Sequence, residues 1–315
     1  MTRGYHDIGG LPGGPIERTE HDMAFWEKRM EAMRDCLARR DPPLMTVDEM
    51  RRGIESLGED AYNSLTFYER KSAAMRDILI EKHVVDPKDL ERRIVTIRRR
   101  REVAIRELPR QFDHSQDHAD IKDDEPRPSE YDVISEAIYG FLVDRGILSP
   151  DEVRSMIERM EGAGPANGAR IVAHAWTDAN FKRNLLTNGK AALREIGIDA
   201  LETQLIVVEN TRHVHNVIVC TLCSCYPRSV LGAPPAWYVS KAYRSRVVKE
   251  PRIVLAEFGT EVPYDVDIRV HDSNADMRYM VLPTCPVRTE GWSERELTRL
   301  VTRDSLIGAA FASQP

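Results

Sequence analysis

Three of the chain's five cysteines fall within six residues, Cys220-Thr221-Leu222-Cys223-Ser224-Cys225, directly behind the apolar run Val217-Ile218-Val219. Three sulfurs this close in sequence converge on one point only if the backbone curls tightly. The curl also turns the amide nitrogens of Ser224 and Cys225 inward. A disulfide between Cys223 and Cys225 would close a very small, strained ring. A structural zinc site wants a fourth Cys or His. Cys36 and Cys285 stand apart, however, and His213 and His215 lie across the strand from the loop. The spacing therefore points to a metal claw, with three inert buried cysteines as the competing reading. Soft thiolates without a fourth side-chain ligand suit a late transition metal. If amide nitrogens also bind, they must be deprotonated, which requires a strongly Lewis-acidic, trivalent ion. Such an ion polarises a bound substrate or lowers the pKa of bound water.

Composition narrows the setting. A chain of 315 residues with 42% apolar content can bury a sizeable core in two modest domains. A net charge of −6 argues against a nucleic-acid partner. No stretch approaches the roughly 18 apolar residues of a membrane span, so no membrane partner is expected. Met1 to Gly14 lacks an apolar signal core. A cytoplasmic protein is expected, in which clustered cysteines serve metal or redox chemistry.

The pattern predicts an α+β chain with helices first and strands later. A first domain spans residues 1–111, an acidic linker 112–129 and a second domain 130–315. Trp26, Met30, Met33 and Leu37 share one helix face. Val47, Met50, Ile54 and Leu57 share another, behind a capping box of Thr46 and Glu49. Leu65 to Ile80 reads as a third helix, and Asp86-Pro87 starts a fourth. The run Arg98 to Arg101 reads as a solvated or subunit-facing surface. The lead Gly9-Gly10-Leu11-Pro12-Gly13-Gly14-Pro15 excludes regular structure and is expected to drape over a partner surface. After the linker, Ser129 to Ile196 is helical, with a stripe of Ile134, Ile138, Phe141 and Leu142. Strands are predicted at Leu205–Val208, Val217–Val219, Val266–Val270 and Tyr279–Leu282, and a final helix behind Ser293 and Glu296.

Cys220-Thr221-Leu222-Cys223-Ser224-Cys225 resembles the claw of the nitrile hydratase α subunit. The likeness continues through Val214-His215-Asn216, Leu231-Gly232-Ala233-Pro234-Pro235-Ala236-Trp237-Tyr238, Tyr243-Arg244-Ser245-Arg246-Val247-Val248, Arg278-Tyr279-Met280-Val281-Leu282-Pro283, Glu290-Gly291-Trp292-Ser293 and Val301-Thr302-Arg303-Asp304. It covers about residues 129–312. His6-Asp7-Ile8-Gly9-Gly10, Trp26-Glu27, Asp48 to Glu55 and Phe67-Tyr68-Glu69 are similar to the front of the β subunit of the same enzymes, over roughly residues 4–108. The chain thus looks like a fusion of β-front and α.

The resemblance implies the rest of the site. Thr221 matches the cobalt type, where iron enzymes have Ser, so the implied cofactor is non-corrin Co(III) rather than iron. The implied metal ligands are Cys220, Cys223 and Cys225 with the backbone nitrogens of Ser224 and Cys225, leaving one open position. Cys223 would be a sulfinate and Cys225 a sulfenate. Arg51 matches the arginine that hydrogen-bonds these oxidised sulfurs, as a rigid cationic donor suits anionic oxygens. Arg52 beside it and Tyr68 are candidate pocket residues. Their competing readings are a solvated helix arginine and core packing. The β subunit's C-terminal SH3-like barrel has no counterpart here. A separate small subunit carrying that barrel is therefore expected, in a hetero-oligomer, with an activator or metallochaperone as a further partner.

The implied reaction is hydration of a small-molecule nitrile to its amide, a hydro-lyase activity with Cys225, Ser224 and Arg51 as catalytic groups. The chain also departs from ordinary nitrile hydratases in several places, and thiocyanate hydrolysis on the same claw is the runner-up, because the arginine after Pro227 resembles thiocyanate hydrolase. Arg228 follows Pro227 where nitrile hydratases carry Trp, Phe67 replaces a pocket tyrosine, and Leu201 aligns with a pocket glutamine. A non-catalytic metal-binding subunit, with His114 and His118 as transient ligands, is a third reading.

Overall fold

A computed structural model describes residues 4–19, 22–107, 129–200 and 204–315, and its helices begin at the caps read from the sequence. Thr46 Oγ1 accepts from Glu49 N (3.2 Å) while Glu49 Oε2 accepts from Thr46 N (2.8 Å). Asp86 Oδ1 accepts from Lys88 N and Asp89 N, both 2.9 Å. Ser149 and Glu152 exchange the same reciprocal bonds. Each box satisfies amides that a helix start leaves unpaired.

One packing unit, Asp22–Ile157, is helical: α1 (Phe25–Ala38), α2 (Val47–Glu55), α3 (Glu59–Ser64), α4 (Phe67–Glu81), α5 (Pro87–Glu107), α6 (Glu130–Asp144) and the start of α7 (Pro150–Gly162). Met30, Met33 and Leu37 of α1 are fully buried. So is the predicted α6 stripe of Ile134, Ile138, Phe141 and Leu142, each at 5% exposure or less. Burying such a side chain contributes roughly 1.5–3 kcal/mol relative to leaving it exposed. Buried Glu31 is neutralised by Lys71 and by Arg34 at 3.2 Å. The arginine run is not simply solvated. Arg98 pairs with Glu130, Arg100 with Glu136, and Arg101 with Asp132 (2.8 Å) and Glu136 (2.5 Å), a ladder between α5 and α6.

The other unit comprises Met1–His21 and Glu158–Pro315. It contains α8 (Pro165–Thr177), α9 (Ala179–Thr187), α10 (Gly189–Glu195), β1 (Gln204–Glu209), β2 (Val214–Val219), α11 (Arg228–Leu231), α12 (Ala236–Val239), α13 (Lys241–Arg246), α14 (Pro251–Glu257), β3 (Asp267–Asp272), β4 (Met277–Leu282), α15 (Glu294–Leu297) and α16 (Arg303–Ile307). All four predicted strands form, which confirms the α+β class. They pair in parallel, β1 with β4 from Gln204↔Met277 and β2 with β3 from Val214↔Asp267. Parallel pairing requires long crossovers, and the helices α11 to α14 lie in the crossover from β2 to β3. Val217, Ile218 and Val219 are fully buried among Leu185, Leu193, Trp237, Tyr243 and Leu306. The helix behind Ser293 is followed by α16, so it is not the last.

The glycine-rich lead packs on this same unit. Gly10 N donates to Ser245 O (2.7 Å), Arg246 Nη1 to Gly14 O (3.1 Å), and Arg18 Nη1 to Phe258 O (3.2 Å). The packing units cut across the division drawn from composition, because α6 buries its stripe in the helical unit. The linker residues 112–128, with His114 and His118, and Leu201 lie outside the described residues. Among the described residues, no helix is long and apolar enough to cross a membrane.

Gly308 ends α16 in the left-handed region, φ +84°, and a Cβ there would stand 1.9 Å from Asn216 O on β2. Gly308→Ala is therefore expected to lose roughly 3 kcal/mol of stability. An unchanged urea midpoint in the variant would contradict this account of the β2 packing.

Candidate metal centre

Strand β2 delivers the cysteines. It ends at Val219, and the next residue, Cys220, is fully buried. From there the chain leaves the ladder, so its carbonyls need other donors. Helix α13, capped by Ser240 Oγ on Tyr243 N (3.2 Å), supplies most of them. Tyr243 OH donates to Ile218 O (2.6 Å), Arg244 Nε to Cys220 O (3.2 Å) and Arg244 Nη2 to Thr221 O (2.7 Å). At the loop's far end, Tyr238 OH donates to Cys225 O (2.9 Å). Asp272, level with Val219 on β3, accepts from Thr221 N (3.0 Å) and Thr221 Oγ1 (2.6 Å). A Cβ on Gly9 would stand 3.3 Å from Thr221 Cγ2, so the N-terminal lead reaches the claw loop.

The three sulfurs meet as the spacing requires. Cys220 Sγ and Cys223 Sγ are 3.5 Å apart, Cys223 Sγ and Cys225 Sγ 3.4 Å, and all three lie within 4.8 Å of one another. Cys223 N donates to Cys220 Sγ (3.2 Å), which closes the first turn of the curl. None is in a disulfide. Metal–sulfur bonds of about 2.3 Å place two ligands of one ion roughly 3.3–3.8 Å apart for right-angled to tetrahedral geometry, so the cluster fits a shared metal. Among the described residues no other group of His, Cys, Asp and Glu side chains converges in this way. Cys220 and Cys225 are buried, whereas Cys223 and Ser224 are partly exposed, which leaves the claw open on one side.

Protonation follows from crowding. The Cys223 and Cys225 contacts and burial push the Cys220 thiol well above its ordinary range. At Cys225 the Cys220 contact acts downward. The Cys223 contact and burial outweigh it, and the thiol is pushed up to about 11 despite the attraction of Arg278. Burial likewise raises the phenols of Tyr238 and Tyr243, so both remain O–H donors.

Arg51, on α2 in the helical unit, is largely buried, with Nη1 3.9 Å from Asp48 Oδ1. Arg52 holds Glu81 at 2.8 and 3.1 Å on an exposed face. Tyr68 is buried on α4, edge-on to Phe67 at 4.9 Å between centroids. Arg228 opens α11 just behind the claw, half-buried, its backbone N–H on Tyr226 O (2.9 Å). Sequence reasoning missed the groups that brace the loop. Tyr238, Tyr243 and Arg244 sat inside motifs already noted, whereas Asp272 lies too far along the chain for spacing to reveal it.

Comparison with known proteins agrees with this geometry. The family model "Nitrile hydratase, alpha chain" matches residues 129–310, and "Nitrile hydratase beta subunit, N-terminal" matches residues 1–121. The low-molecular weight cobalt-containing nitrile hydratase subunit alpha of Rhodococcus rhodochrous is 50% identical over 181 residues, 57% of this chain and 87% of that one. Thiocyanate hydrolase subunit gamma of Thiobacillus thioparus is 39% identical over 194 residues, 58% and 80% of the two chains. Among solved structures, a double mutant of the Fe-type nitrile hydratase from Comamonas testosteroni Ni1 superposes with a TM-score of 0.54 at 41% identity, over 57% of this chain and 89% of that one.

Thiols held protonated must release protons when a metal binds, so binding tightens as pH rises. The apparent cobalt affinity of the metal-free chain is expected to rise about tenfold or more per unit between roughly pH 6.5 and 8.5. Competition with a chromophoric chelator measures it, and a flat profile would refute thiolate ligation.

Proposed function

Because the chain belongs to the nitrile hydratase α-chain family, we propose that it is the metal-binding catalytic subunit of an enzyme that hydrates a nitrile to its amide. The observation that carries this reading is the convergence of three sulfurs, none in a disulfide, at 3.4 and 3.5 Å on one open-sided loop. Cys220, Cys223 and Cys225, with the backbone nitrogens of Ser224 and Cys225, would hold cobalt. When bound, that ion supplies Lewis acidity, drawing electron density from a nitrile and making its carbon electrophilic.

The chain's own groups do the rest. A sulfenate oxygen on Cys225, or a water that it activates, provides the oxygen that adds to the nitrile carbon. Net addition of one water across the triple bond gives the amide. Arg51 is the donor that holds the charge and direction of the oxidised sulfur oxygens, since a guanidinium stays charged at any working pH. Ser224 lies on the open side, where its hydroxyl can orient substrate. Tyr68 and Arg52 are assigned to the pocket wall. A separate small subunit with an SH3-like barrel completes the site in a hetero-oligomer, and an activator loads the metal.

Thiocyanate hydrolysis to carbonyl sulfide and ammonia is the second reading. It is favoured by Arg228 directly behind the claw, whose charge suits an anionic substrate, and by the 39% identity to a thiocyanate hydrolase subunit.

The chain, co-expressed with its partner subunits in cobalt medium, is expected to form amide from a nitrile panel and to leave thiocyanate untouched. Ammonia and carbonyl sulfide from thiocyanate, with nitriles inert, would reverse the assignment. Bound cobalt with no turnover of either substrate would leave the chain a metal-binding subunit. Arg51→Lys is expected to lower kcat about 10- to 100-fold at unchanged cobalt content. A kcat equal to wild type would remove Arg51 from the site.

A further inference from the structure

Arg244 is 2% exposed, among the largest buried side chains of the molecule. Its guanidinium forks across two successive carbonyls, Cys220 O at 3.2 Å and Thr221 O at 2.7 Å. The peptide group joining Cys220 to Thr221 is held from its other edge by Asp272, which accepts the Thr221 N–H at 3.0 Å. That one peptide is thus gripped by a cation on its carbonyl and an anion on its amide, at the point where β2 becomes the loop.

Burying a guanidinium is costly unless it is fully hydrogen-bonded. Fixing two carbonyls could be done more cheaply by neutral donors, as Tyr243 and Tyr238 do at Ile218 and Cys225. A permanent charge is worth its desolvation where negative charge gathers, as it would on three sulfurs that give up their protons to a metal.

We propose that Arg244 is a positioning residue for the claw: its fork sets where the Cys220 sulfur stands, and its charge offsets that of the metal-loaded sulfur cluster. This rests on the metal reading above. A lysine in its place keeps the charge but, as a point donor, cannot span both carbonyls in the same fixed geometry.

The test uses the full chain with its partner subunits, loaded with cobalt. R244A is expected to fold, by circular dichroism, and to lose about 10- to 100-fold in cobalt affinity. R244K is expected to recover most of the bound cobalt while its sulfur-to-cobalt charge-transfer bands shift. Wild-type cobalt content and bands in R244A would overturn the proposal, as would a folded R244K that binds no better than R244A. Should R244A fail to fold, R244K decides alone, and unchanged bands overturn the role. A wild-type complex that takes up no cobalt would refute the metal reading itself, a result seen without any variant.

Discussion

Curling six residues so that three sulfurs face one point removes the backbone from every ladder it could have joined, and the surrounding fold answers that loss. Cys220, Thr221 and Cys225 each present a carbonyl that takes a side-chain donor from Arg244 or Tyr238, and Tyr243 braces Ile218 O on the strand just before them. Those donors come from two short helices just downstream of the claw. Local sequence thus supplies both the bend and its bracing. Buried polar groups of this kind stabilise little in net terms but cost one to three kcal/mol, roughly, when left unmade.

The same donors tie the claw to the core. Tyr243 and Trp237 stack edge to face at 4.9 Å, and Trp237 meets Phe258 at the same distance. Their rings bury apolar area while the phenols reach the loop, which is how an aromatic serves packing and polarity together. On the opposite side, buried His215 donates its Nε2–H to Gly308 O (2.7 Å), and burial lowers its pKa, which favours the neutral imidazole. His215 is therefore a structural pin beneath the strand and not a ligand of the claw.

The claw, the caps and the strands were legible because each has a local signature: spacing, a box of paired residues, or a β-branched run. The short helices α3 and α11 to α14 were not. Most span only a turn or two, too few residues for a periodic stripe to emerge. Asp272 was invisible for a different reason. It reaches Thr221 across the β2–β3 register, and strand pairing is a non-local choice that no spacing rule encodes. The run Arg98 to Arg101 misled because charge alone cannot show whether an acidic partner helix lies opposite, and here α6 supplies Glu130, Asp132 and Glu136.

The division of the chain follows from packing more than from ancestry. The segment similar to the β-subunit front ends by residue 121, and the segment similar to the α chain begins at 129. Yet α6, in the second segment, buries its stripe within Asp22–Ile157, while the lead before residue 22, in the first, packs with Glu158–Pro315. Each segment contributes to the core of both units. Separated at the linker, each would expose apolar surface that the other covers. Joining them in one chain replaces an association between two molecules by an intramolecular one, at effective concentrations on the order of millimolar. The lead reaches its own contacts at Ser245, Arg246 and Phe258 in this way.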